Sequence, residues 1–409
     1  MKKNEIFIIM VVLLLISVYA YGGEFSGTLL YNGGYSFQTD IINNSISLEL
    51  KYTETFTDEL FVEGNFMLKY TDKPFAPPFM FMPRELYVGA YDLIKNLDLR
   101  LGMVIISWGA ADMFSLLDNF NPISPEFSPG GLPQKRGVLG VDAIYYIDDN
   151  TYIQGVYIPQ FAPSIIPPEA EEDMYLTMLS PQFAIQGIDI TSVDITHNTP
   201  EAPVWGIKIG SSFSSFDAAI SYYNGYYMNS FIENMIPNPQ TQTLNIALSN
   251  PKKDVFGLEF QGDFPGIEGA TLRGDIAYII PESWRLNGQY ILKDPYIKAS
   301  IGADYKTSSD LYINLGYIYG FMAEEGDQCS SYISLMAKQP TKDTDLTPIY
   351  IGIMSLKDGS MLNSIGIEYK ATDDISITLP YVKIFGDNTS AMGKMKSAEG
   401  IYLKGEWSF

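Results

Sequence analysis

Segments of about ten residues in which apolar and polar side chains alternate recur from one end of this chain to the other. No other feature constrains the fold as much. In Asn96–Pro122, Leu97, Leu99, Leu101, Met103 and Ile105 alternate with Asp98, Arg100, Gly102 and Val104. A period of two puts one row of side chains on each face of a sheet. At Trp108-Gly109 the alternation stops, and ADMFSLLDNFNP follows with a short helical rhythm and the turn signal Asn121-Pro122.

Sixteen such segments fall near 24–37, 45–53, 59–70, 84–93, 97–107, 137–147, 150–158, 203–211, 216–227, 254–263, 270–280, 296–305, 310–321, 361–370, 375–385 and 399–409. Connections between them alternate between short, polar turns and mostly long loops. Sixteen antiparallel strands with both ends on one side need seven short turns and eight loops, which is the pattern seen. Pro348–Leu356 also alternates and would make seventeen; it is assigned to a long loop over 322–360 as a strand extension. Eighteen strands result if the loop over 159–202 hides another.

Residues 1–20 read as a signal peptide, with Lys2 and Lys3, the apolar run Ile6–Val18 and small residues before the cleavage point. Elsewhere no apolar run reaches the eighteen residues of a spanning helix. Residues 21–409 show no linker, repeat or low-complexity tract and read as one domain. Unsatisfied backbone groups in lipid cost several kcal/mol each, so a spanning sheet must close on itself. The fold class expected is all-β, a transmembrane antiparallel barrel.

The pleat then sorts the side chains. Ile46, Leu48, Leu50 and Leu99 fall on the lipid face. Glu49, Lys51, Glu63, Lys69, Asp98, Arg100, Asp142, Lys208, Glu259, Arg273, Asp275, Lys298, Asp304, Glu368, Lys370, Lys404 and Glu406 fall on the lumen face. Lys or Arg on the lipid face near the midplane would cost about 2–4 kcal/mol, so the charges are placed inside. The abundant aromatics, 29 Tyr and 23 Phe, suit interfacial girdles.

The net charge of −22 argues against nucleic acid as a partner. Cys329 alone cannot form an internal disulfide, and with His197 the only histidine a zinc site is not expected. A Ser-His-Asp relay would have to use His197, and no partner is identifiable by spacing. The run Glu169–Asp173 lacks the spacing of a calcium loop. No enzymatic activity and no cofactor are expected.

The strand followed by Trp108, Gly109, Asp112, Asp118, Asn121 and Pro122 resembles a segment of porin-like outer-membrane proteins of Gram-negative bacteria. The last segment, with Ile401, Leu403, Gly405, Trp407 and Phe409 on one face, is similar to the closing strand of such barrels. The resemblance implies an outer-membrane location among lipid and lipopolysaccharide, and recognition of Phe409 by the barrel-assembly machinery. It leaves the oligomeric state open.

A sixteen-stranded barrel leaves an aqueous channel unless something narrows it. Trp108, Met113, Phe114, Leu116, Leu117 and Phe120 are too apolar for a free loop, so residues 108–136 are expected to fold inward. Asp112 and Asp118 would then face Arg100, Lys135 and Arg136 across a constriction, with weak cation preference. The wall would be lined by Glu49, Lys51, Glu63, Asp98, Glu259, Arg273, Asp275, Lys298, Asp304, Glu368 and Lys404. Three functions compete: a channel for passive or selective diffusion of small solutes, a transporter for apolar solutes suggested by the Met/Phe/Pro-rich loops, and a plugged surface or adhesion barrel.

Overall fold

The computed structural model describes residues 23–38, 42–72, 78–111, 115–123, 135–164, 166, 168–286, 289–321, 324–341 and 344–409. The leader, Asp112–Phe114 and 124–134 lie outside them, so the readings made for residues 1–20 and for Asp112 are not addressed by it.

With strands numbered along the chain, the wall begins with β1 (Glu24–Ser36), β2 (Ile42–Thr55), β3 (Leu60–Thr71), β4 (Phe79–Ile94), β5 (Leu97–Val104), β6 (Val138–Tyr146) and β7 (Thr151–Ile158). After β8 (Ser192–Asn198) it continues with β9 (Val204–Phe213) and β10 (Phe216–Tyr226). Past β11 (Phe231–Asn238) and β12 (Thr243–Ser249) come β13 (Lys252–Asp263) and β14 (Ala270–Pro281). Past β15 (Trp284–Leu286) and β16 (Gln289–Leu292) come β17 (Tyr296–Lys306), β18 (Tyr312–Tyr319), β19 (Ser331–Lys338), β20 (Leu346–Ser355), β21 (Met361–Lys370), β22 (Ile375–Phe385) and β23 (Gly400–Ser408). Each wall strand pairs antiparallel with the next, and β23 pairs with β1, from Thr28↔Ser408 to Ser36↔Gly400, so the sheet is a closed barrel of eighteen strands.

Eighteen replaces the count of sixteen, and the extra pair lies where one long loop was assigned. Pro348–Leu356 is not an extension above the membrane; it is most of β20, paired with β19 and β21. The loop over 159–202 does hold a strand, β8, but that strand pairs with β12 outside the barrel. With both ends of the sheet on one side, the short turns, such as 147–150 and 371–374, gather at that rim and the long loops at the other.

The pleat sorts the faces as the alternation predicts. Ile207, Ile209, Ile220, Leu258 and Ile276 are exposed on the outer surface as a contiguous band, through the pairings Ile209↔Ile220 and Ile220↔Leu258. Trp205, Tyr222 and Phe256 flank the band on the loop side, with ring centroids 5.3 and 5.0 Å apart, and Phe216 and Phe260 flank it on the turn side. These are the two aromatic girdles of a membrane barrel. Ile220→Arg should therefore destabilise the barrel by about 2–4 kcal/mol in urea unfolding from lipid vesicles, because Ile220 sits between the girdles. A cost near zero would place this band out of the hydrocarbon.

A bulge breaks the parity in β4. The register shifts between Asn65 and Phe66, so Pro83 opposes Phe66, Glu85 opposes Asn65, and Arg84 is the extra residue. A bulge accommodates a proline and re-aims its neighbours. Arg84 reaches Glu49 at 2.6 Å and Glu85 accepts from the Ile105 N–H at 3.1 Å, so both serve the interior.

The outer loops after β7 and after β10 pack on one another. Helix α1 (Pro168–Ala184) contributes Tyr175 and Leu179, which pack with Ile190, Val193, Leu244, Ile246 and Leu248 around the sheet β11–β12–β8. Glu171, from the acidic run, is buried and holds His197 at 2.9 Å.

Candidate functional site: the inward segment

Beyond β5 the chain turns into the lumen. Val104, Ile106, Trp108, Leu117 and Phe120 are almost completely buried, and they pack on inward-facing Val138, Val156, Val204, Tyr223, Val255 and Ala277. Trp108 meets Phe120 edge-on at 4.7 Å, and Phe120 meets Tyr223 at 5.1 Å. The wall leaves room for them with glycine. A Cβ on Gly206 would come within 2.8 Å of both Trp108 and Phe120, and one on Gly257 would strike Leu117 at 2.7 Å.

Polar anchors fix the segment at mid-barrel depth. Asp275 accepts from Ala110 N–H at 2.7 Å, Ser115 hydroxyl at 2.8 Å, Leu116 N–H at 3.2 Å and Ala111 N–H at 3.3 Å. Glu259 accepts from Gly109 N–H at 2.6 Å and pairs with Lys208 at 3.1 Å. Trp108 Nε1 donates to Gln154 at 2.9 Å, Gln154 donates to Asp142 at 2.7 Å, and Asp142 holds Arg100 at 2.5 Å. Asn121 locks the return by accepting from Ile106 N–H at 2.8 Å and donating to the carbonyl of Arg136 at 2.8 Å. Above the segment, Lys253 donates to Asn119 at 2.7 Å and lies 4.7 Å from the centre of the Tyr227 ring.

In sequence, no family model and no curated protein matches the chain. In structure it is similar to OccAB3 of Acinetobacter baumannii, with TM-score 0.55 and 10% identity over 95% of this chain and 98% of that one. It is similar to OpdQ of Pseudomonas aeruginosa to the same degree and with the same coverage, and to OccK11 (OpdR) of that bacterium with TM-score 0.54, 10% identity, and 95% and 96% coverage. The fold is that of a bacterial outer-membrane β-barrel channel.

Within this channel fold the charges named from the sequence make the following contacts. Asp118 is mostly covered, its side chain 13% exposed, and pairs with Lys135. Arg100 does not face it; the guanidinium turns to Asp142. Arg136 meets Asn121 and Pro122 through its backbone. Glu259, Asp275 and Lys208 anchor the segment and are covered by it. Elsewhere on the inner wall Glu49 pairs with Arg84, Lys51 with Glu63 at 3.1 Å, Arg273 with Asp304 at 2.9 Å, Lys298 with Glu325 at 3.2 Å and Lys404 with Glu406 at 2.8 Å. Asp98 accepts from Tyr146 near a short turn, and Glu368 lies on the inward row between exposed Ile367 and Tyr369.

Arg84, Lys253 and Gln154 went unread in the sequence. The bulge hides Arg84, and Lys253 precedes the alternation by one residue. Gln154 lacks the charge that marks a lumen residue.

Proposed function

We propose that the protein is a diffusion channel for small polar solutes, narrowed by the inward segment after β5. The carrying observation is the anchoring of that segment on Asp275 and Glu259, inside a closed barrel with an apolar outer band. Tyr175, Leu179, Ile190, Val193, Leu244, Ile246 and Leu248 of the outer loops are buried against one another, which supports reading these loops as packing elements more than as a gate for apolar solutes. The purified barrel in a planar bilayer should give discrete steps of current with weak cation preference. An electrically silent barrel would favour the plugged surface protein. Asp112→Asn with Asp118→Asn should move the reversal potential toward zero, and an unchanged potential and conductance would exclude both carboxylates from the passage.

Asp118 adds a pH dependence. Burial pushes its carboxyl up to about 6, against the opposing pull of Lys135. A group with a raised pKa in the docked state contributes stability that is fully present below its unfolded value and is lost as pH rises through about 6. The docked segment should therefore hold more firmly at pH 5 than at pH 7, seen as quieter current at the lower pH. Asp118→Asn should flatten that difference; an unaltered pH profile would assign it elsewhere.

A further inference from the structure

A second segment lies over the inner wall on the side that the first leaves bare. Between β22 and β23, Met392 is almost fully buried, and Ala391, Met395 and Ala398 pack with it on Ile318, Phe321, Tyr332, Ile353, Val382 and Ile384. Ile318, Ile353, Val382 and Ile384 belong to the lumen-facing rows, since their strand neighbours Tyr317, Tyr381 and Phe385 are exposed on the lipid side. Five tethers hold the segment. Asp358 accepts from Ala391 N–H at 2.8 Å, and Ser360 accepts from Met392 N–H at 3.0 Å. Ser36 donates to the Ser397 carbonyl at 2.8 Å, Gln38 to the Glu399 carboxylate at 2.9 Å and Tyr402 to the Ala398 carbonyl at 2.9 Å.

The first segment covers β5 to β14, and this one covers β18 to β23. The wall left between them is chiefly β1 to β4, where Glu49, Arg84, Lys51 and Glu63 sit. Gly393–Ala398 is a 3₁₀ turn. In that geometry residues three apart eclipse one another. Met392, Met395 and Ala398 therefore share the wall face, and Lys394 and Ser397, both exposed, share the opposite face.

We propose that residues 386–399 form a second constriction segment, that the passage is the slot between the two segments along β1 to β4, and that Lys394 is a specificity-determining residue on its outer edge. This rests on the channel reading. A positive charge there opposes the acidic character of the chain and holds back cations at the mouth.

The test uses the full barrel with Cys329→Ser and Lys394→Cys, recorded in planar bilayers. A negatively charged thiosulfonate should lower the current stepwise and increase cation preference, and Lys394→Glu should increase that preference without reagent. The Cys329→Ser barrel alone should not respond. Normal steps with no effect of reagent or of Lys394→Glu would overturn the second segment and leave the channel reading intact. A barrel silent before any substitution would overturn both.

Discussion

Asp275→Ala should widen the channel more than any other single change, raising single-channel conductance and adding large current fluctuations. One carboxylate receives four donors from the inward segment, three of them backbone N–H groups that Ser or Thr at 110, 111 or 116 could not replace. Hydrogen bonds to a charged group contribute about 1.5–3 kcal/mol each, and a buried donor left without its acceptor adds its own cost. Alanine removes all four acceptor contacts together. The barrel wall should survive, because β14 keeps its ladders to β13 and β17. Asp275→Asn keeps one carbonyl acceptor and should give an intermediate conductance. Heat-modified mobility on gels separates the two effects: a folded Asp275→Ala barrel with wild-type conductance would show that the segment does not need this anchor.

Arg100→Leu should cost about 3–5 kcal/mol in urea unfolding, the range for leaving one member of a buried ion pair alone. Asp142 is 1% exposed and holds Arg100 on one side and Gln154 on the other. Gln154 in turn positions the Trp108 indole. The loss should therefore be felt at the inward segment as well as in the wall, as a red shift of tryptophan emission at denaturant concentrations below the main transition. Arg100→Leu with Asp142→Leu should recover much of the stability, since replacing both members of such a pair with apolar groups is often neutral. A single substitution as stable as wild type would show that water reaches Asp142 and makes the pairing unimportant.

The alternation alone would allow leucine at position 100. It assigns a side chain to the lumen but not to a partner, and Asp142 lies 42 residues away in sequence. The same limit explains the rest of the comparison. Closed-barrel topology and the facing of Ile220 or Asp275 follow from a local period of two, which a sequence displays directly. The inward packing of Trp108, Leu117 and Phe120 was legible because large apolar side chains in an apparent outer loop had to be buried somewhere. β19 was obscured because its inward row carries Tyr332 and Met336, so both faces look apolar, and without it the visible alternation of β20 made the strand count odd. Tyr332, like Ile353 on β20, packs with Met392, a contact between distant parts of the chain. Arg84 was hidden by the one-residue bulge, and the parallel pairing of β8 with β12 joins loops separated by two wall strands.

The stitching of the first segment also bears on how the molecule is assembled. Gly109 and Ala110 find their acceptors 150 and 165 residues further along the chain. Contacts of such long separation must wait for the intervening polypeptide to be ordered. The segment therefore cannot take its final position until β13 and β14 have joined the growing sheet. A barrel stalled before that point would carry Trp108, Leu117 and Phe120 unpacked, a sticky interior strap awaiting its wall. Closure of the sheet and filling of its interior become separate events, in which a cell could find a leaky intermediate to recognise and degrade.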